Sequence, residues 1–401
     1  MQPRTTAGGR YTFSGEHNPF LSAISVRLLK QSPKVLHDHL TRESVDFGRR
    51  AVEIWFKTAG CRYFLRGGCS MCNYGYSNKV APDTMIGAVT EAVTQAGIGP
   101  DDQLVISPSG SLLDPGEVPD AVYAHIMSLV RDSGCYSFNS ENQAVYVTDE
   151  AMKRYRAELP DQRLHVTSAI ESADPWIRRN VLNKDLPTSL FLSALAAAHE
   201  QGVLFGTNIL LGTPFLSERE AIDDTIRSAR WALSQGVDEI CVFPVHVKIG
   251  TLTHWMWQRG LFRPPSLWSL VKVLAAFEES DLQHITIAWH KTYYVDAADI
   301  RLKSRRIPYT CDACYSSVVD TLDEYVATRS RMRLVALENT SCGCRTSWLD
   351  EPSPATEEPL SARVSSILRM ASNEVMGENW VRKFGDLLDN TLMPRPTDVL
   401  T

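Results

Sequence analysis

The chain has 401 residues, 44% of them hydrophobic, with 41 basic and 47 acidic side chains and a formal charge of −6. That length allows one large domain or two ordinary ones, and the apolar share is enough for a sizeable core. The absence of any run of about 18 apolar residues argues against a transmembrane helix, and the mild acidity argues against a protein that reads a long nucleic-acid backbone.

The opening stretch MQPRTTAGGRYTFSGEH lacks the apolar core of a signal peptide, so the cysteines are expected to stay reduced in a cytoplasm and to be available to metals. Residues 1–50 read as an N-terminal extension. Short β-branched or apolar runs follow at 51–58, 103–110, 137–141, 164–170, 203–212 and 238–247. Helical patterns lie between them, at 83–97, 119–134, 148–159, 188–202 and 218–236, and several end in Gly, a normal helix stop. Six strand–helix units in series predict an α/β fold with a parallel sheet, open or closed into a barrel, over residues 51–300. The rhythm breaks after about residue 300. Residues 301–350 carry a second cysteine group, EPSPATEEPLS (351–361) reads as a surface linker, and 351–401 form a tail.

Three of the nine cysteines fall in GCRYFLRGGCSMCNYGY, spaced C-x7-C-x2-C. Cys61, Cys69 and Cys72 directly follow the first predicted strand, where active groups of a βα barrel sit. Three thiolates can hold three irons of a [4Fe–4S] cluster and leave the fourth iron free for a small molecule. Zinc would need a fourth ligand, and no nearby His or Cys supplies one. Cys311 and Cys314 (CDAC) with Cys342 and Cys344 (CGC) form a complete tetrathiolate set. A second [4Fe–4S] cluster is the favoured occupant, because C-x-C suits two irons of one cluster, with zinc as the alternative. Cys135 and Cys241 lie in or beside apolar runs and read as small buried hydrophobes.

With its C-x7-C-x2-C loop the chain resembles the radical S-adenosylmethionine enzymes, whose more common spacing is C-x3-C-x2-C. SGSLLDPGE (109–117), NKDLPT (183–188), LLGTPFLSEREAI (210–222) and GTLTHWMWQRGLFRPPSLWS (250–269) resemble the subgroup that includes the radical subunit of archaeosine synthase. The chain also resembles the sulfur-for-oxygen swapping enzymes of albomycin biosynthesis, which are similar to the same subgroup. The resemblance implies a partial (βα)6 TIM-like barrel of radical SAM type with a C-terminal cysteine-rich cluster-binding extension. It implies S-adenosylmethionine as cofactor, bound beside the free iron and cleaved to a 5′-deoxyadenosyl radical. It also implies that Gly110 and Ser111 meet the methionyl amine, that Glu141 and Glu171 contact the ribose or amino acid, and that Met71 flanks the adenine. A local turn or helix cap is the rival reading of Ser111 and Asp114, since Asp-Pro before a helix is a normal start signal.

PVHVKIG (244–250) places His246 and Lys248 at the end of the sixth predicted strand, and Asn208 lies on the fifth; these three are expected to meet the substrate. Most tryptophans of 250–269 are expected to pack against the barrel. The expected reaction removes a hydrogen from a small-molecule nucleotide and replaces the furanose ring oxygen with sulfur from the auxiliary cluster. An archaeosine-type tRNA base modifier and a non-catalytic iron–sulfur or zinc nucleic-acid-binding protein are the alternatives. An external one-electron reductant of flavodoxin or ferredoxin type is the expected partner, with no membrane and no nucleic acid.

Overall fold

The computed structural model describes residues 17–30, 38–75, 79–291, 306–350 and 358–395. Eight strands form one sheet in chain order: β1 (His39–Asp46), β2 (Arg49–Phe56), β3 (Gln103–Ser107), β4 (Ser137–Glu141), β5 (Arg163–Thr167), β6 (Leu204–Leu211), β7 (Glu239–Pro244) and β8 (Ile285–Ile287). Strand β1 pairs antiparallel with β2, and every later pairing is parallel. The sheet curls into a half-barrel. The six predicted strands are β2 to β7, and the edges β1 and β8 are additional.

Alternation explains the curl. Val52, Ile54 and Phe56 are buried among helix side chains such as Met85 and Val89, while Ala51, Glu53 and Trp55 face a cavity. Strands β3 and β7 repeat the division: Ile106, Ile240 and Val242 point to the helices, and Gln103, Ser107, Glu239 and Cys241 point inward. A parallel sheet buried on both faces reads as continuous apolar runs. This one has a polar inner face, so it wraps a site rather than a second core.

The helices are α1 (Pro19–Leu29), α2 (Pro82–Ala96), α3 (Asp120–Ser133), α4 (Asp149–Glu158), α5 (Pro175–Asn180), α6 (Thr188–Glu200), α7 (Glu218–Ser234), α8 (Leu252–Gln258), α9 (Leu267–Ala275), α10 (Glu279–Leu282), α11 (Tyr315–Thr328), α12 (Arg331–Glu338), α13 (Gly343–Asp350), α14 (Leu360–Met376) and α15 (Asn379–Leu392). Their ends obey local chemistry. Pro82 opens α2 and the left-handed Gly97 closes it, and Ser217 with Glu220 forms a capping box on α7. A second core joins α1, α8, α14 and α15 through Phe20, Ile24, Trp255, Val364, Leu368 and Leu388. Of the proposed linker, residues 351–357 lie outside the described residues, and Leu360 and Ser361 begin α14. No helix among the described residues is long and apolar enough to cross a membrane.

One helix closes the side of the half-barrel. The two edge strands, β1 and β8, both meet α11. Phe47 N donates to the Val326 carbonyl (3.2 Å), Arg329 pairs with Asp46, and the Tyr325 hydroxyl donates to the Ile285 carbonyl (2.7 Å).

Candidate active site

Cys61 leaves the end of β2 and opens a single turn, Arg62–Arg66. Glycines shape the rest of the loop. Gly67 has φ +113°, and a Cβ there would lie 2.4 Å from Ser22 Cα of α1, so only glycine lets the loop touch that helix. The NKDLPT segment holds the loop from the other side. Asn183 Nδ2 donates to the Gly68 carbonyl (2.7 Å), the Tyr63 hydroxyl donates to the Asn183 carbonyl, and Ser70 N donates to the Leu182 carbonyl (3.0 Å). Thr253 N of α8 donates to the Ser70 carbonyl (3.3 Å).

The SGSLLDPGE segment forms a third clamp. Glu117 accepts from Thr58 Oγ1 (2.7 Å), Gly110 N (2.9 Å) and Ser111 N (2.9 Å). Asp114 accepts from Arg62 Nε (2.7 Å) and Gly116 N (2.8 Å). A Cβ on Gly110 would lie 2.3 Å from Glu117 Oε2 and 2.8 Å from Cys61 Cα, and one on Gly116 would strike the Arg62 guanidinium. Burial pushes the Glu117 carboxyl up to about 7. The motif thus fastens the cysteine loop to the end of β3. Ser111 is buried outside the cavity lining and holds Gln143 N (3.0 Å) and Asn142 Oδ1 (3.3 Å), so its side chain serves the turn.

Donor chemistry at Cys61, Cys69 and Cys72 fits a [4Fe–4S] cluster. Gln143 Nε2 donates to Cys61 Sγ (3.0 Å) and Tyr74 N to Cys72 Sγ (3.5 Å), contacts of the kind that stabilise cluster thiolates. Burial pushes the Cys69 thiol up to about 12, with Lys184 pulling the other way, and a bound cation would reverse that.

The three cysteines line a cavity of about 780 Å³ that also reaches Met71, Gly110, Glu141, Glu171, Asn208, His246 and Lys248. Asn208 Nδ2 donates to Glu141 Oε1 (3.2 Å), and burial raises the Glu141 carboxyl. Lys184 Nζ donates to Glu171 Oε1 (2.9 Å), and Glu171 itself has φ +67°. Burial takes His246 down to about 4, so its ring is neutral near pH 7. His246 Nε2 then donates to the Trp289 carbonyl (2.6 Å), which leaves Nδ1 as the acceptor. Lys248 Nζ lies 4.2 Å from the centroid of the Tyr74 ring. Its own burial works to lower its pKa, but the Tyr74 and Cys72 charges overcome this and raise it.

Several lining residues escape a reading of sequence. Arg42 and Glu53, register partners on β1 and β2, form an ion pair at the cavity wall. Trp289, with φ +60°, and Gln143 also line it. None carries a spacing signal; only strand register and loop closure bring them together. Cys135 is buried, as expected, whereas Cys241 faces the cavity, because its neighbours Ile240 and Val242 take the helix side of β7.

The second cysteine group is drawn together as expected. Cys311–Cys314, Cys311–Cys342, Cys314–Cys344 and Cys342–Cys344 each stand 3.5 Å apart, Sγ to Sγ. None of the four lines the cavity.

The parallel half-barrel thus carries three cysteines on the loop after its first parallel strand. No protein-family model matches the chain. It is 30% identical over 303 residues to archaeosine synthase subunit beta of Methanosarcina acetivorans, covering 75% of this chain and 84% of that protein. The subunit of the same name in Thermococcus kodakarensis is 26% identical over 309 residues, covering 74% and 90%. Among solved structures, the archaeal Elp3 of Methanocaldococcus infernus aligns over 65% of this chain and 60% of its own, with 13% identity and a TM-score of 0.45. The chain belongs to the archaeosine synthase subunit beta family.

Proposed function

We propose that the chain is an enzyme that makes a 5′-deoxyadenosyl radical from S-adenosylmethionine and uses it to abstract hydrogen from a nucleotide. The observation that carries this is the single cavity shared by the cysteine loop and a polar sheet face. A [4Fe–4S] cluster on Cys61, Cys69 and Cys72, when bound, supplies the electron that cleaves S-adenosylmethionine. An external reductant of flavodoxin or ferredoxin type supplies that electron in turn.

The remaining work belongs to the chain. Glu141 with Asn208, and Glu171 with Lys184, offer fixed acceptors for ribose hydroxyls and the methionyl ammonium. The Gly110 amide is spent on Glu117, so at that position the backbone offers only its carbonyl to the cofactor. His246 and Lys248 present an acceptor and a cation to the substrate. The enclosing sheet and α11 keep water from the radical.

Two finer readings differ in the fate of the substrate radical. The first is modification of a nucleobase of the archaeosine kind, supported by the named relatives. The second replaces the furanose ring oxygen with sulfur, and it requires a source of sulfide, which the second cysteine group supplies only if a cluster fills it. The net charge of −6 favours a free nucleotide over tRNA, and with it the second reading over the first.

Reconstituted protein, S-adenosylmethionine and dithionite would be incubated with free ribonucleotides or with bulk tRNA, and 5′-deoxyadenosine measured. Stimulation by free nucleotides, with a sulfur-for-oxygen mass change, supports the second reading. Stimulation by tRNA alone selects the first. Stimulation by neither would remove nucleotides as substrates.

A further inference from the structure

The second cysteine group differs from the first in spacing and in place. Its four thiols form, among the described residues, a group whose ligand atoms all lie within 4.8 Å of one another; the cavity triad forms no such group. A tetrahedral zinc with Zn–S of about 2.3 Å sets its sulfurs about 3.8 Å apart. Four of the six sulfur–sulfur edges are 3.5 Å, close to that figure, and the other two are within 4.8 Å. A [4Fe–4S] cubane gives each thiolate its own iron and holds the sulfurs far wider.

The surroundings are those of a structural site. Trp268 Nε1 of α9 donates to Cys344 Sγ (3.2 Å), an outer hydrogen bond that fixes a ligand. Cys314 is the N-cap of α11, and Cys342 and Cys344 sit at the start of α13. The site therefore ties together α9, α11 and α13. Of these, α11 is the helix that bridges β1 and β8.

We infer that Cys311, Cys314, Cys342 and Cys344 bind one zinc ion, and that this ion anchors the helix closing the side of the half-barrel. Closed tetrathiolate sites of this kind hold helices rather than substrates. A zinc ion carries no sulfide, so a ring-sulfur reaction would need a sulfur source outside this group. The inference stands whether or not the substrate is a nucleotide.

Metal analysis of the full chain, reconstituted anaerobically, tests it. About one zinc and about four irons are expected per chain. Cys311→Ser/Cys342→Ser loses the zinc and keeps the iron; Cys61→Ala/Cys69→Ala/Cys72→Ala does the reverse. About eight irons without zinc, falling to about four in the Cys311/Cys342 variant, would overturn zinc in favour of a second cluster. Should that variant fail to accumulate, cobalt(II) is titrated into chelator-treated wild type. The visible bands of a tetrahedral cobalt thiolate support the site, and their absence overturns it. Anchoring is read separately, as amide exchange across α11 rising about tenfold when zinc is removed. Unchanged exchange there would sink the anchoring role.

Discussion

Gly110 and Asn183 show how few atoms hold the cysteine loop in place. A methyl on Gly110 has nowhere to go, because Glu117 and the Cys61 backbone fill the space. Gly110→Ala is expected to cost about 1–3 kcal/mol, since the clash is partly with backbone that cannot rotate away. The measurement is a denaturant midpoint alongside iron content, and unchanged values in both would mean that Gly110 clamps nothing. Asn183 is buried and holds Gly68 through its side-chain amide. In Asn183→Asp a carboxylate oxygen would face that carbonyl, leaving an unpaired buried acceptor worth about 1–3 kcal/mol. Iron retention should fall, while far-ultraviolet circular dichroism stays that of a folded α/β protein. An iron content equal to wild type would contradict that role.

Among the secondary-structure elements, α7 carries a buried carboxylate. Asp224 accepts from Ser172 Oγ (3.1 Å) and Arg227 Nη2 (3.4 Å), and its other oxygen has no partner among the described residues. Burial raises its pKa from 3.8 to about 6, against the pull of Ser172 and Arg227, with Asp174 adding to the rise. The fold therefore favours the protonated acid. Its contribution is full below about pH 3.8 and gone above about pH 6, so stability falls as pH rises through that window. Asp224→Asn should flatten the slope of unfolding free energy there by up to about 1.4 kcal/mol per pH unit. Denaturation curves at about pH 4, about pH 5 and about pH 6 would show it. Parallel slopes for the two proteins would mean that Asp224 titrates normally.

Burial of each element's faces also decides what is legible in the sequence. Strands β2 to β7 betray themselves because one face is apolar, as Val52, Ile54 and Phe56 show. Strand β1 does not: Arg42, Ser44 and Asp46 line the polar cavity, and the opposite face is partly in solvent, so no apolar period exists to read. Strand β8 is three residues long. In the site, cysteine spacing identifies the triad and the tetrad without help from tertiary structure. The partners Gln143, Glu53 and Trp289 do not follow from any local pattern, since their positions come from register and from loops far apart in the chain.

For the whole molecule, the cavity and the second cysteine group belong to different regions of the same fold. The cavity lies inside the sheet, and the tetrathiolate group lies among the outer helices. Loss of iron from the triad should therefore leave the fold largely intact. The Cys61→Ala/Cys69→Ala/Cys72→Ala protein is expected to melt within about 5 °C of the apo wild type, since three loop thiols bury little area. A collapse of the melting transition would mean that the thiols themselves hold the half-barrel together.

The clamps on the cysteine loop also set an order of events during synthesis. Its anchors are Ser22, Asp114, Leu182, Asn183 and Thr253. The last of these leaves the ribosome long after Cys72 has been made. A nascent chain that ends before Thr253 lacks one of these anchors, so the three thiols reach their final shape only after most of the half-barrel has been made.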